Sequence, residues 1–149
     1  MNLKPLKVLV VHSSATGAGH RMAAKSLVEA LKEHPGVQAE SFDTLSVSSP
    51  KMRESQKSAI SSMGKIPGFA NWAYEAAVRG NALVGLANVV LMAVKARLSP
   101  EALAHIQEAQ PDLIVSTQAE ASQMLAHWKR GGQVEAPLWS VLTDHVADD

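Results

Sequence analysis

The chain has 149 residues, of which 46% are apolar and 19% charged, with 14 basic residues set against 14 acidic ones. This fits one domain with a core of its own, and it excludes an intrinsically disordered chain and a globally basic binder of nucleic acid. With no cysteine, disulfide frameworks and thiolate chemistry are excluded as well.

In chain order, Lys7-Val8-Leu9-Val10-Val11-His12 is an apolar, β-branched run that predicts a strand covered on both faces. The small residues 13–19 predict a turn. A helix is then expected from about His20 to Glu33, with Ala24, Leu27, Val28 and Leu31 on one apolar face and Pro35-Gly36 as its stop. Val37 to Phe42 reads as a second strand. Residues 44–50 are Ser-rich and read as a loop.

The alternation of strand and helix lapses in the middle third. A basic helix is expected from Pro50 to Met63, followed by a break at Gly64–Gly68, the aromatic stretch around Trp72 and Tyr74, and a nearly all-apolar helix from Ala82 to Leu98. That helix is too short to span a bilayer. Net charge is +1 over residues 1–50, +5 over 51–100 and −6 over 101–149. A basic, apolar segment of this kind fits an interfacial surface for anionic lipid, and equally a buried helix with solvated basic neighbours.

Ser99-Pro100-Glu101 predicts a helix start with a capping hydroxyl. Asp112–Ser116 reads as a third strand. Ala121, Met124, Leu125 and Trp128 mark a helix face closed by Gly131-Gly132, and Pro137–Leu142 reads as a fourth strand followed by Thr143-Asp144-His145.

The pattern predicts an α/β fold, a three-layer Rossmann-like, mostly parallel sheet with a helical insertion at about 50–98. Ligands bind such sheets beyond the C-terminal strand ends. The polar segments 12–21, 116–120 and 143–145 are predicted to converge there. Gly17 and Gly19 allow close approach of a ligand, the start of the following helix favours an anion or a hydroxyl, and Arg21 adds a charge. A ligand-free strand-to-helix turn has the same composition. His20 is placed to accept a proton at that helix start, or to bond only the loop. His12 is expected to be a hydrogen-bonded core histidine, Asp144 to orient a ligand hydroxyl or serve as a polar strand end. No His, Asp and Glu grouping has metal-ligand spacing.

Four motifs in order, Lys7-Val8-Leu9-Val10 with Thr16-Gly17-Ala18-Gly19-His20, Glu40-Ser41-Phe42-Asp43, Gln110-Pro111-Asp112-Leu113-Ile114-Val115-Ser116-Thr117 and Pro137 to Asp144, resemble the monogalactosyldiacylglycerol synthase and processive diacylglycerol glucosyltransferase family. The resemblance spans nearly the whole chain. It implies the N-terminal, acceptor-side half of a GT-B fold, truncated at its C-terminal end. It implies that His20 is general base on the acceptor hydroxyl, that Gly17 and Gly19 shape that pocket and that the basic, apolar middle third faces lipid. Thr16, Arg21, Gln118 and Asp144 are the further candidates for the acceptor or anion site, and Lys51, Arg53, Lys57, Trp72 and Tyr74 the candidates for the lipid-facing surface.

The chain departs from the family at Gln118-Ala119, where many members have His-Pro, and it stops at Asp149. The expected partners are a lipid acceptor, an anionic membrane surface and a missing or separately encoded donor-binding domain. No nucleic acid is expected. Self-association through an exposed sheet edge is a further expectation. No cofactor is expected in this chain, since the nucleotide sugar belongs to the absent domain. The resemblance therefore implies a chain not competent alone and peripheral on the inner face of the membrane, and the N-terminal Met1–Lys7, without the small-residue cleavage site of a signal peptide, predicts a cytoplasmic location. The other reading is a stand-alone, non-catalytic α/β module binding a small anionic or nucleotide ligand at the Gly-rich turn.

Overall fold

A computed structural model describes residues 4–14, 18–48, 50, 53–54, 58, 86, 90, 94–97 and 99–141. Its elements run β1 (Leu6–His12), α1 (Ala18–Lys32), β2 (Val37–Asp43), α2 (Pro100–Ala109), β3 (Leu113–Ser116), α3 (Ala119–Arg130) and β4 (Leu138–Ser140). The strands form one parallel sheet in the order β2-β1-β3-β4. The fold is α/β and Rossmann-like, as the alternation predicts.

Alternation within the strands sorts side chains into two cores. Val8, Val10, Ala39 and Val115 point to one face, where they meet Ala24 and Val28 of α1. Leu9, Val11, Phe42 and Ile114 point to the other, against Ala102 and Ile106 of α2 and Met124, Leu125 and Trp128 of α3. The central strand β1 is covered on both faces, which is why its sequence is a continuous apolar run. Burying each such side chain contributes roughly 1.5–3 kcal/mol.

The turns follow from backbone chemistry. Gly36 has φ +82° between α1 and β2, a conformation costly for any residue with a Cβ, and its carbonyl accepts from Leu6 N at 2.8 Å. Gly132 has φ +71° after α3, where the Gly pair predicts a stop. At the end of α2, Gln110 turns left-handed at φ 46°, and Pro111 cannot continue the helix.

Two local readings change. α1 begins at Ala18 rather than about His20, so Gly19 and His20 lie in its first turn. Ser99 precedes α2, which has Pro100 in its first turn, but the Ser99 hydroxyl caps nothing there. It donates back to Lys95 O at 2.9 Å, so it serves the carbonyls of the preceding turn.

The sequence places a helical insertion at about 50–98. Most of it, with Lys51, Lys57, Trp72 and Tyr74, lies outside the described residues. The described positions 50, 53–54, 58, 86, 90 and 94–97 are helical. Ala96 joins the core beside α2 and α3, and Lys95 pairs with Glu120 at 2.7 Å. No helix among the described residues is long and apolar enough to cross a membrane.

Candidate functional site

The strand order reverses between β1 and β3. β1 leads through α1 to β2 on one side, and β3 leads through α3 to β4 on the other. A crevice opens at such a switch point, beyond the C-terminal ends of the strands. Among the described residues, the buried polar side chains are His12, Ser13, Ser116, Thr117 and Gln118. All five lie at the ends of β1 and β3, on the two sides of that crevice. Burying polar groups is costly unless each is paired, so their concentration at one end marks it as the candidate site.

His20 bridges the crevice. Its Nδ1 lies 2.9 Å from the Thr117 carbonyl oxygen, and the Thr117 hydroxyl donates to the His20 carbonyl at 3.0 Å. A carbonyl oxygen can only accept, so Nδ1 donates and the neutral ring carries its lone pair on Nε2. This is the tautomer that can take a proton from a hydroxyl. Thr117 is held from below by its own N–H, which donates to Val11 O at 3.1 Å.

Asp43 closes the β2 side. Its Oδ1 accepts from Ser14 N at 3.1 Å and from Leu45 N at 2.9 Å, which ties the end of β2 to the start of the β1–α1 connection. The Thr44 N–H and hydroxyl both donate to His12 O, at 2.9 and 3.3 Å.

His12 is 4% exposed, as its place at the end of a buried strand predicts. The expected hydrogen bond is missing at one nitrogen: among the described residues, the buried Nδ1 has no partner. Burial lowers the pKa of His12 below its ordinary 6.5, the Asp43 carboxylate opposes that shift, and Arg21 and His20 add to it. The ring is therefore neutral near pH 7.

Gly19 is helical and has open space where a Cβ would project. Arg21 is exposed on the first turn of α1, which contains no acidic residue. Gln118 is buried at the start of α3, and its carbonyl accepts from Ser116 Oγ at 3.0 Å and Ser122 Oγ at 2.9 Å. Thr16, Gly17 and Asp144 lie outside the described residues. The structure thus brings His20, Gly19, Arg21 and Gln118 to one end of the sheet.

Arg53, far along the chain, is exposed and donates from Nε to Ser48 O at 3.0 Å. Leu86, Val90 and Val94 are 63%, 55% and 47% exposed, at the four-residue spacing of one helix face. These three side chains are therefore not core residues of the described structure.

Sequence reasoning placed Thr117 only within the converging segment 116–120 and did not assign Asp43 to the site. Their signal lay in strand adjacency: the register sets Asp43 beside His12 and Ser116 beside Val11. His105 on α2 stacks on Phe42 of β2 with ring centroids 4.1 Å apart.

Two cavities of roughly 240 and 420 Å³ lie at the opposite end of the sheet, one lined by Lys7, Gln38, Glu40 and Pro111, the other by Lys4, Gln107, Asp112 and Glu135. Among the described residues, no three His, Cys, Asp or Glu side chains could hold a metal together. Comparison of the chain with known protein families, curated proteins and solved structures finds no match.

Proposed function

We propose that the chain is the acceptor-binding half of a GT-B type hexosyltransferase that makes glycolipids, with diacylglycerol or a similar lipid as acceptor. The observation that carries this reading is the His20 Nδ1 bond to the Thr117 carbonyl at 2.9 Å. It leaves the lone pair on Nε2, at the strand ends where ligands of such sheets bind. In the transfer, the acceptor hydroxyl gives its proton to Nε2 of His20. Its oxygen bonds to the anomeric carbon of the sugar as the bond from that carbon to the nucleotide diphosphate breaks. The nucleotide sugar is expected on a separate donor domain, so this chain alone turns over no substrate.

Gln118 and Arg21 flank the acceptor site in this reading. The exposed Leu86, Val90 and Val94, with Arg53 and Arg97 also exposed, support a peripheral contact with an anionic membrane on its cytoplasmic side.

Flotation of the purified chain with phosphatidylcholine vesicles, with and without diacylglycerol and phosphatidylglycerol, tests the reading. The expected result is binding that needs diacylglycerol, is strengthened by phosphatidylglycerol and is weakened by Arg53→Glu and Val90→Ser. Equal behaviour with and without diacylglycerol sinks the lipid-acceptor assignment.

A further inference from the structure

The buried His12 Nδ1 has no role in the transfer step described above. His12 is 4% exposed, and among the described residues its Nδ1 has no hydrogen-bond partner. An orphaned buried nitrogen is costly, and nearly all buried polar atoms have a partner in the protein or in ordered water, so an exception calls for an occupant.

Its place in the fold says what surrounds it. Alternation along β1 puts His12 on the same face as Val8 and Val10, the face covered by α1. α1 runs back over β1, so its first turn lies above the strand's C-terminal end. Arg21 and His20 from that turn, and Asp43 from β2, all act electrostatically on the His12 ring. The first N–H groups of a helix have no intrahelical acceptor, and α1 has no acidic residue in its first turn to offset its positive end. Its 15 residues give it a full helix dipole.

These groups ask for two kinds of ligand atom. The start of α1 and the Arg21 guanidinium favour an anion, most of all a phosphate. Next to them the neutral His12 ring and the Asp43 carboxylate favour a hydroxyl. A hydroxyl can donate or accept, so it satisfies Nδ1 in either tautomer, and where Nδ1 is the donor the hydroxyl can give its own hydrogen to Asp43. A phosphate oxygen carries negative charge and is disfavoured beside Asp43.

We propose that the α1 end of the crevice is a subsite for a phosphorylated polyol. Its phosphate sits at the N-terminus of α1 with Arg21, and a neighbouring hydroxyl bonds His12 Nδ1 beside Asp43. The subsite does not depend on sugar transfer, and its chemistry is shared by free sugar phosphates and by glycerophosphate lipid head groups.

Calorimetric titration with glycerol 3-phosphate, inorganic phosphate and glycerol tests it, alongside ¹⁵N spectra of the histidine rings. Glycerol 3-phosphate is expected to bind about tenfold or more tightly than inorganic phosphate, and glycerol not measurably, as loss of one charge-assisted or buried bond implies. Arg21→Gln, an exposed and structurally mild change, is expected to weaken glycerol 3-phosphate by about tenfold. The His12 Nδ1 resonance is expected to move on binding. Displacement by phosphatidylglycerol vesicles assigns the group to lipid; failure of displacement assigns it to a free sugar phosphate.

No saturable binding overturns the proposal. So does equal affinity for phosphate and glycerol 3-phosphate, or a His12 resonance that stays fixed. A chain that binds glycerol 3-phosphate but ignores diacylglycerol keeps this subsite and loses the lipid-transfer reading; the reverse pattern does the opposite.

Discussion

The two ends of the sheet are built on different terms. At the N-terminal end the polar groups are exposed and loosely paired: Asp112 accepts from Lys7 N at 2.8 Å and faces Lys4 at 3.8 Å, with both ionic side chains well exposed. At the C-terminal end the polar side chains are buried and cross-linked between elements that are distant in sequence. The two cavities described above sit at the first end and the buried polar side chains at the second. Among the described residues, the costly burial of polar atoms is what marks the candidate site.

The largest effect that sharpens this contrast should come from the two aspartates. Asp43→Ala removes the acceptor of two backbone N–H groups and is expected to cost about 2–3 kcal/mol, while Asp112→Ala, exposed at the other end, should cost about 1 kcal/mol or less. Urea unfolding of both variants reads the difference. Equal losses would erase the distinction between the ends.

Next in size is Thr117→Val. It deletes the hydroxyl that donates to His20 O but keeps the carbonyl that holds the imidazole. A loss of about 1 kcal/mol is expected, together with faster amide exchange in the first turn of α1. Unchanged exchange there would mean that the bridge does not hold the helix start.

The third prediction concerns pH. The His12 pKa is lowered in the folded protein by burial, so the unfolded chain binds a proton more readily than the folded one. Stability is full above about pH 6.5, the unfolded value, and declines as the pH falls from there toward the lower folded pKa. His12→Gln should flatten the melting temperature between pH 7 and 5.5 relative to the parent. A parent as steep as the variant would remove His12 as the cause. The smallest effect is Lys4→Ala, an exposed pair at the N-terminal end, expected to change stability by about 0.5 kcal/mol or less. A larger loss would show that this end is less loosely built than its exposure indicates.

The strands were legible because β-branched apolar runs between turn residues have few alternatives: β1, β2 and β3 fall within a residue or two of where the sequence places them. The stops at Gly36 and Gly132 were legible for a similar reason, since only glycine accepts those backbone angles cheaply. Ser99 shows the limit. Its position before Pro100 predicts a cap, yet its hydroxyl turned to an older carbonyl, because a short side chain takes the nearest acceptor and the sequence does not rank them. His20 was legible as a residue at a helix start. Its tautomer was not, because the carbonyl that sets it belongs to Thr117, 97 residues away. Asp43 was visible as a strand-end acid, but its bonds to Ser14 and Leu45 depend on register between β1 and β2, which side-chain patterning does not encode.

The paired bonds between His20 and Thr117 have one more consequence. They run in opposite directions between the same two residues, from His20 Nδ1 to the Thr117 carbonyl and from the Thr117 hydroxyl to the His20 carbonyl. The start of α1 and the end of β3 are thus fastened like a two-pronged plug, and a slide of either element along the other breaks both bonds at once.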